Sequence, residues 1–271
     1  MGRIADRFEE LGATGRKGLI TFITAGDPSV AATPGLMHAL VRGGADVIEL
    51  GVPFSDPMAD GEVIQRASER ALAHGTSLDD VFGAVAAFRR DDSRTPVVLM
   101  GYLNPVEHMG PARFATRAAE AGVDGALIVD LPPEEAADVT PALRAAGIDE
   151  IFLVAPNSPE SRIRKVCAAA SGFVYFVSVK GVTGGKSAVL DEIGTRIEMT
   201  RRFAGMPVGI GFGIRTPEAA ADAAGVADAV IVGSAIVEII ERGGAADDTA
   251  RAVESFVASM RDAIDARAHA A

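Results

Sequence analysis

Short, nearly continuous apolar runs recur along the chain: LITFIT (19–24), DVIEL (46–50), PVVLMG (96–101), GALIVD (125–130), EIFLVA (150–155), FVYFVS (173–178), PVGIGF (207–212) and DAVIVG (228–233). Runs of this length without strict alternation suit parallel strands buried on both faces. The segments between them, such as AATPGLMHALVRGG, SLDDVFGAVAAFRRD and GPARFATRAAEAG, place apolar residues at helical spacing. Several close on glycine just before the next run, at Gly43 and Gly44, Gly122 and Gly147. A glycine there caps the helix and turns the chain into the strand. Eight strands, each followed by helix, predict one (β/α)8 TIM barrel domain spanning residues 1–271. An open doubly wound sheet is the alternative, with fewer strands expected. Further helices are expected over 3–11, over 62–73 after the second strand, and over 247–267. No shift in composition and no Ser/Gly-rich linker marks a domain boundary.

Composition narrows the function classes. Apolar residues make up 48% of 271 residues and charged residues 23%, an ordinary globular balance. The net charge of −11, from 26 basic and 37 acidic residues, argues against nucleic acid as partner. A small anion remains possible, because backbone N–H groups and helix N-termini bind phosphate without net positive charge. No run reaches membrane-spanning length and the N-terminal MGRIADRFEELG is amphipathic, so a soluble cytoplasmic protein is expected. Cys167, the one cysteine, lies in a small-residue helical stretch and reads as a buried apolar side chain rather than a nucleophile. His38, His74, His108 and His269 are scattered without metal-ligand spacing, so no metal is expected.

Two glycine-rich loops carry candidate chemistry. GVTGGKS (181–187) is one residue too short for a nucleotide-binding P-loop and no strong helix starts at Lys186. A mobile lid after the sixth strand fits it better. GIGFGIRT (209–216) lacks the third glycine of a dinucleotide fingerprint, with Ile214 or Thr216 in its place. It precedes a helix opened by Thr216 as N-cap and Pro217 at the first helical position. Gly233 and Ser234 repeat that arrangement after the eighth run. Barrels commonly bind phosphate with these two loops, and glycines let the backbone approach it.

The stretch ELGVPFSDPMADG (49–61) holds three carboxylates. Glu49 ends a buried strand, where an apolar barrel mouth raises its pKa and fits it for proton transfer near neutral pH. Asp60, on the loop behind, can fold back over the mouth and take a different protonation role. A salt bridge inside the barrel is the competing reading of Glu49, but no strand offers Lys or Arg; Lys180 lies just past the sixth. Asp56, between Ser and Pro, is a natural turn former.

ELGVPFSDPMADG with RASERAL behind it, GYLNP (101–105), LIVDLPPEE (127–135), GVTG (181–184) and GFGI (211–214) together resemble the tryptophan synthase α subunit family. The likeness runs from LITFITAGDP (19–28) to GSAIVEII (233–240). It implies retro-aldol cleavage of indole-3-glycerol phosphate to indole and glyceraldehyde 3-phosphate. Glu49 matches the family's acid/base residue, and Asp60 the carboxylate that bonds the indole N–H. Asp56 matches a loop acid that bonds Thr183 when two lids close. Gly184, Gly213, Ile214, Gly233 and Ser234 match the phosphate cradle. Phe22, Ile64, Met100, Tyr102, Leu127, Tyr175 and Phe212 match the indole and glycerol pocket, with core packing a rival explanation for each apolar one. The resemblance implies no cofactor in this chain. It also implies an α2β2 complex in which indole passes to a pyridoxal-phosphate β subunit, meeting it through the loop from Pro53 to Pro57, Asn104 and Pro132. Glu62 stands where the family usually has Pro, and Lys180, Gly185 and Lys186 give a more basic lid. A free-standing lyase, a sugar-phosphate isomerase or epimerase on the same barrel, and a silent phosphate-binding barrel are the rivals. The Glu49/Asp60 spacing disfavours the isomerase, and retention of both acids disfavours the silent barrel.

Overall fold

The structure, a computed structural model, describes residues 2–178, 187–211 and 213–269, with the backbone alone for 187–190 and 268–269. Every predicted apolar run forms strand: β1 (Gly18–Thr24), β2 (Val47–Gly51), β3 (Val97–Gly101), β4 (Gly125–Ile128), β5 (Asp149–Glu150), β6 (Phe152–Val154), β7 (Val174–Val177), β8 (Val208–Gly211) and β9 (Ala229–Val232). The fifth run differs from expectation by splitting at Ile151 into β5 and β6. All ladders are parallel, in the order β5-β4-β3-β2-β1-β9-β8-β7-β6. The sheet therefore begins and ends on one stretch of chain. The Ile151 N–H still donates to Ala126 O at 2.9 Å, so nine strands make eight staves of a (β/α)8 barrel, not an open sheet.

The three extra helices are present as α1 (Arg3–Ala13), α3 (Glu62–Ala73) and α12 (Ala246–His269). Between strands run α2 (Thr33–Arg42), α4 (Leu78–Arg89), α6 (Pro111–Ala121), α7 (Thr140–Ala145), α8 (Glu160–Ala169), α9 (Ser187–Ala204), α10 (Pro217–Ala224) and α11 (Ser234–Glu241). Ser77 and Asp80 form a reciprocal capping box on α4, and the Thr216 hydroxyl caps α10. Gly44, Gly122 and Gly147 take positive φ after their helices, while Gly43 stays helical at φ −72°. One helix was not expected: α5 (Leu103–Met109), inside GYLNP. Pro105 lies in its first turn, where a missing N–H costs nothing.

Burial on both faces gives two cores. Leu19, Ile23, Ile48, Leu50, Val97 and Leu99 point outward to the helices. Ile20, Val47, Val98, Leu127, Ile151, Phe173 and Ala229 point inward, and Ile4 of α1 plugs the barrel floor among them. Cys167 is buried, its Sγ 3.7 Å from Thr200 O, and burial pushes its thiol up to about 11, as a packing residue should be.

Three acids that precede strands at this floor are paired with arginines. Asp46 accepts the Leu19 N–H (2.7 Å) and Arg261 (2.9 Å). Asp124 accepts the Val97 N–H (2.8 Å), Arg89 (2.6 Å) and Arg3 (2.8 Å). Asp228 accepts the Val208 N–H and Arg201, both at 3.0 Å. Each ties an amide in the first two residues of one strand to the neighbouring strand, so these carboxylates are structural.

Candidate active site

At the barrel's other end Asp27 is held by Arg70 at 2.8 Å and Asp130 accepts the Leu103 N–H at 2.8 Å, but Glu49 and Asp60 meet no basic side chain among the described residues. On β2, Val47 and Glu49 alternate inward while Ile48 and Leu50 face the helices. Glu49 therefore enters the upper interior layer, among Phe22, Met100, Leu153, Tyr175 and Ile231. It is 1% exposed. Its Oε1 has no hydrogen-bond partner, and no ion pair reaches it among the described residues. Burial alone pushes its carboxyl up to about 8, because taking the anion out of water is costly and nothing offsets it. Near neutrality Glu49 is a carboxylic acid with a proton to give.

Asp60 closes the loop between β2 and α3. The Gln65 amide donates to the Asp60 carbonyl oxygen at 2.8 Å, fixing the backbone where α3 begins. The Tyr102 hydroxyl accepts the Ala59 N–H at 3.1 Å and donates to the Asp60 carboxylate. Phe54 stacks on the Tyr102 ring at 5.2 Å. Burial pushes Asp60 up to about 6, against the Tyr102 bond, which favours the anion. The two carboxyls thus differ in protonation at pH 7, one neutral and one ionised. Glu62 occupies the first turn of α3, where the helix dipole favours a negative charge.

Both acids line one cavity of about 460 Å³. Phe22, Ile64, Met100 and Tyr175 form its apolar wall; Gly213, Ile214, Gly233 and Ser234 form the side formed by the loops after β8 and β9. Gly213 has φ +74°, a conformation suited to glycine. Tyr175 is raised well above the usual phenol range, first by burial, then by the Glu49 and Asp60 charges. It depends on Gly211: a Cβ there would lie 2.3 Å from the Tyr175 hydroxyl. Gly211→Ala is therefore expected to displace Tyr175, lower activity at least about tenfold and destabilise by about 1–3 kcal/mol. Turnover and urea unfolding measure both; wild-type values would show that the phenol's position is not set by this contact. A larger groove of about 720 Å³ lies at the barrel floor, but its Arg7, Arg94 and Arg261 are engaged by Asp46, Glu10 and Asp265.

A polar-tipped apolar cavity at the C-terminal end of a parallel barrel, holding a neutral acid and an ionised one, is a catalytic arrangement. The sequence profile of the tryptophan synthase alpha chain family matches residues 8–267. The chain belongs to that family. It is 56% identical over 266 residues to the tryptophan synthase alpha chain of Ralstonia nicotianae, spanning 98% of this chain and all of that one. It is 57% identical over 265 residues to that of an Azoarcus species, spanning 98% and 97%. Tryptophan synthase subunit alpha from Legionella pneumophila superposes with a TM-score of 0.91 at 46% identity, over 98% of this chain and 99% of that one. A Mycobacterium tuberculosis tryptophan synthase chain gives 0.87 at 36%, over 97% and 98%. The chain is accordingly an enzyme subunit of tryptophan biosynthesis.

Against the residues that the tryptophan synthase resemblance singles out, the structure gathers Glu49, Asp60, Phe22, Ile64, Met100, Tyr175, Gly213, Ile214, Gly233 and Ser234 around the cavity. Tyr102 lines a small void beside Asp60 rather than the cavity itself. Leu127 does not reach the cavity. It faces inward one layer lower, fully buried, and Val129 takes the wall position two residues on. Asp56 is exposed, its Oδ2 accepting the Ser55 hydroxyl at 2.5 Å. Lys180, Thr183, Gly184, Gly185, Lys186 and Phe212 lie outside the described residues. Val129, Leu153, Val177 and Ile231 join the wall without having been singled out; inward alternation along their strands was their signal. Gln65 and Arg215 had none.

Proposed function

We propose that this chain cleaves indole-3-glycerol phosphate to indole and glyceraldehyde 3-phosphate, as the α subunit of an α2β2 tryptophan synthase. The observation that carries the reading is Glu49: a buried, unpaired carboxyl held neutral beside an ionisable Asp60. Breaking the bond between indole C3 and the glycerol chain requires somewhere for its electron pair to go. Glu49 gives its proton to C3, which turns the ring into an iminium cation. The Asp60 carboxylate accepts the ring N–H bond and stabilises that charge, a charge-assisted contact in a water-poor cavity. As the glycerol hydroxyl loses its proton to the Glu49 carboxylate, a C=O forms, the C–C bond breaks, and its electrons restore the aromatic ring. Glu49 ends protonated, as it began. The phosphate sits on the amides of the loops after β8 and β9, at the start of α11.

No cofactor belongs to this scheme; pyridoxal phosphate is expected in the β subunit, which would receive the indole. Met58, 83% exposed, is the one exposed large hydrophobic side chain among the described residues. It lies on the loop between β2 and α3, next to the Pro53–Pro57 stretch that the family resemblance assigns to the partner's side. The setting this implies is the cytoplasm, and no helix among the described residues is long and apolar enough to cross a membrane. The test is to incubate the purified chain with indole-3-glycerol phosphate, with and without a β subunit, and assay indole. Indole is expected in both, faster with the partner. No indole in either overturns the reading, and full speed without the partner favours the free-standing lyase.

A further inference from the structure

The cavity has an electrostatic difficulty. Its described lining carries two carboxylates, Asp60 and Glu62, beside the protonated Glu49, and a single cation, Arg215. The substrate of the reading above brings a phosphate, and the chain as a whole carries −11. Backbone amides hold a phosphate but do not neutralise it.

Arg215 is placed to do so. It follows Gly213 and Ile214 and precedes Thr216, the N-cap of α10. Its guanidinium reaches across to Glu238, on the second turn of α11. That helix opens with Gly233 and Ser234, the other half of the cradle. The ion pair thus ties the loop after β8 to the helix that follows the loop after β9. It is not locked there, since the side chains of Arg215 and Glu238 are 43% and 23% exposed and solvent-exposed pairs are held weakly.

We propose that Arg215 is a phosphate-binding residue of this chain, held beside the cradle by Glu238 in the free protein and exchanging that carboxylate for the substrate's phosphate. The inference rests on the lyase reading for its substrate. Its chemistry is a guanidinium fork meeting a tetrahedral oxyanion, for which arginine geometry is suited. Glu238 then has two effects: it positions the guanidinium in the free protein and competes with the ligand for it.

The test compares Arg215→Gln, Arg215→Lys and Glu238→Gln in the full chain. Inorganic phosphate is the direct probe, titrated calorimetrically, and it reports whether or not the chain turns over. Arg215→Gln is expected to weaken phosphate binding and raise the substrate KM roughly 5- to 30-fold, changing kcat far less. Arg215→Lys should recover part of the loss, keeping the charge but not the fork. Glu238→Gln, which removes the competitor, should tighten phosphate roughly 2- to 5-fold. Raising salt should weaken phosphate more in the wild type than in Arg215→Gln. The proposal is overturned if phosphate binds Arg215→Gln within about twofold of wild type, or if Glu238→Gln weakens phosphate as strongly as Arg215→Gln does. Absence of indole formation by wild type with normal phosphate binding would instead sink the lyase reading and leave the Arg215 result standing.

Discussion

Glu49→Gln is expected to cut indole formation by roughly 10²–10⁴-fold, the scale of one acid/base group, in a barrel that still folds. The amide matches the carboxyl in shape and can neither give nor take the proton that C3 and the hydroxyl exchange. The same variant has a second signature, in stability. The Glu49 carboxyl has an ordinary value of 4.5 and stands at about 8 in the folded chain. Below about 4.5 it is neutral in both states and costs nothing. Between 4.5 and 8 the unfolded chain ionises and the folded one does not, so stability falls as pH rises. Above about 8 the loss levels off. At about 1.4 kcal/mol per unit, the wild type should lose about 3–5 kcal/mol over that window that Glu49→Gln does not lose. Urea unfolding of both proteins at pH 5 and pH 8 measures it. A difference that stays flat with pH would mean that water or a partner reaches the carboxylate, and near-normal turnover would remove Glu49 from the reaction.

That wild-type instability explains why Glu49 was legible in the sequence. An acid inside an apolar run, with no Lys or Arg on any strand to meet it, is unusual enough to point to chemistry. Asp46 and Asp228 also stood in strand runs, but at their first positions, and both turned out to be paired at the barrel floor. Position along the strand separates these three: Asp46 and Asp228 precede strands at the floor, and Glu49 lies further along β2, at the mouth. The staves themselves were legible because burial on both faces leaves an unbroken apolar run with glycine punctuation. What the pattern does not carry is depth. Alternation says that residues 127 and 129 share a face, but not that Leu127 belongs to the packed layer and Val129 to the cavity. Contacts between distant segments were equally silent. Tyr175 against Gly211, and Arg215 against Glu238, depend on which strands become neighbours and on how far a side chain reaches. The break at Ile151 and helix α5 escaped for the opposite reason, being short local features inside runs whose composition reads uniformly.

Asp60→Asn is expected to lower kcat by roughly 10²–10³-fold, the cost of losing one preorganised electrostatic group in a water-poor site. The neutral amide keeps a hydrogen-bond acceptor for the ring N–H but cannot offset the positive charge that C3 protonation creates. The pH dependence separates this role from that of Glu49. Asp60 must be ionised to act, and it stands at about 6; Glu49 must be protonated, and it stands at about 8. For wild type, kcat/KM should therefore rise through about pH 6 and fall through about pH 8, the two limbs belonging to the coupled pair. The substrate's phosphate also ionises near 6, so the acid limb needs an independent marker. Tyr102 supplies it. Its hydroxyl bond lowers the Asp60 pKa, and Tyr102→Phe removes that bond without touching the phosphate. The acid limb should move to higher pH in Tyr102→Phe while the alkaline limb holds. A limb that stays in place would assign it to the phosphate and leave Asp60 ionised throughout. A profile that rises through pH 8 instead of falling would require Glu49 to start as the base, and the proton to C3 would have to come from another group.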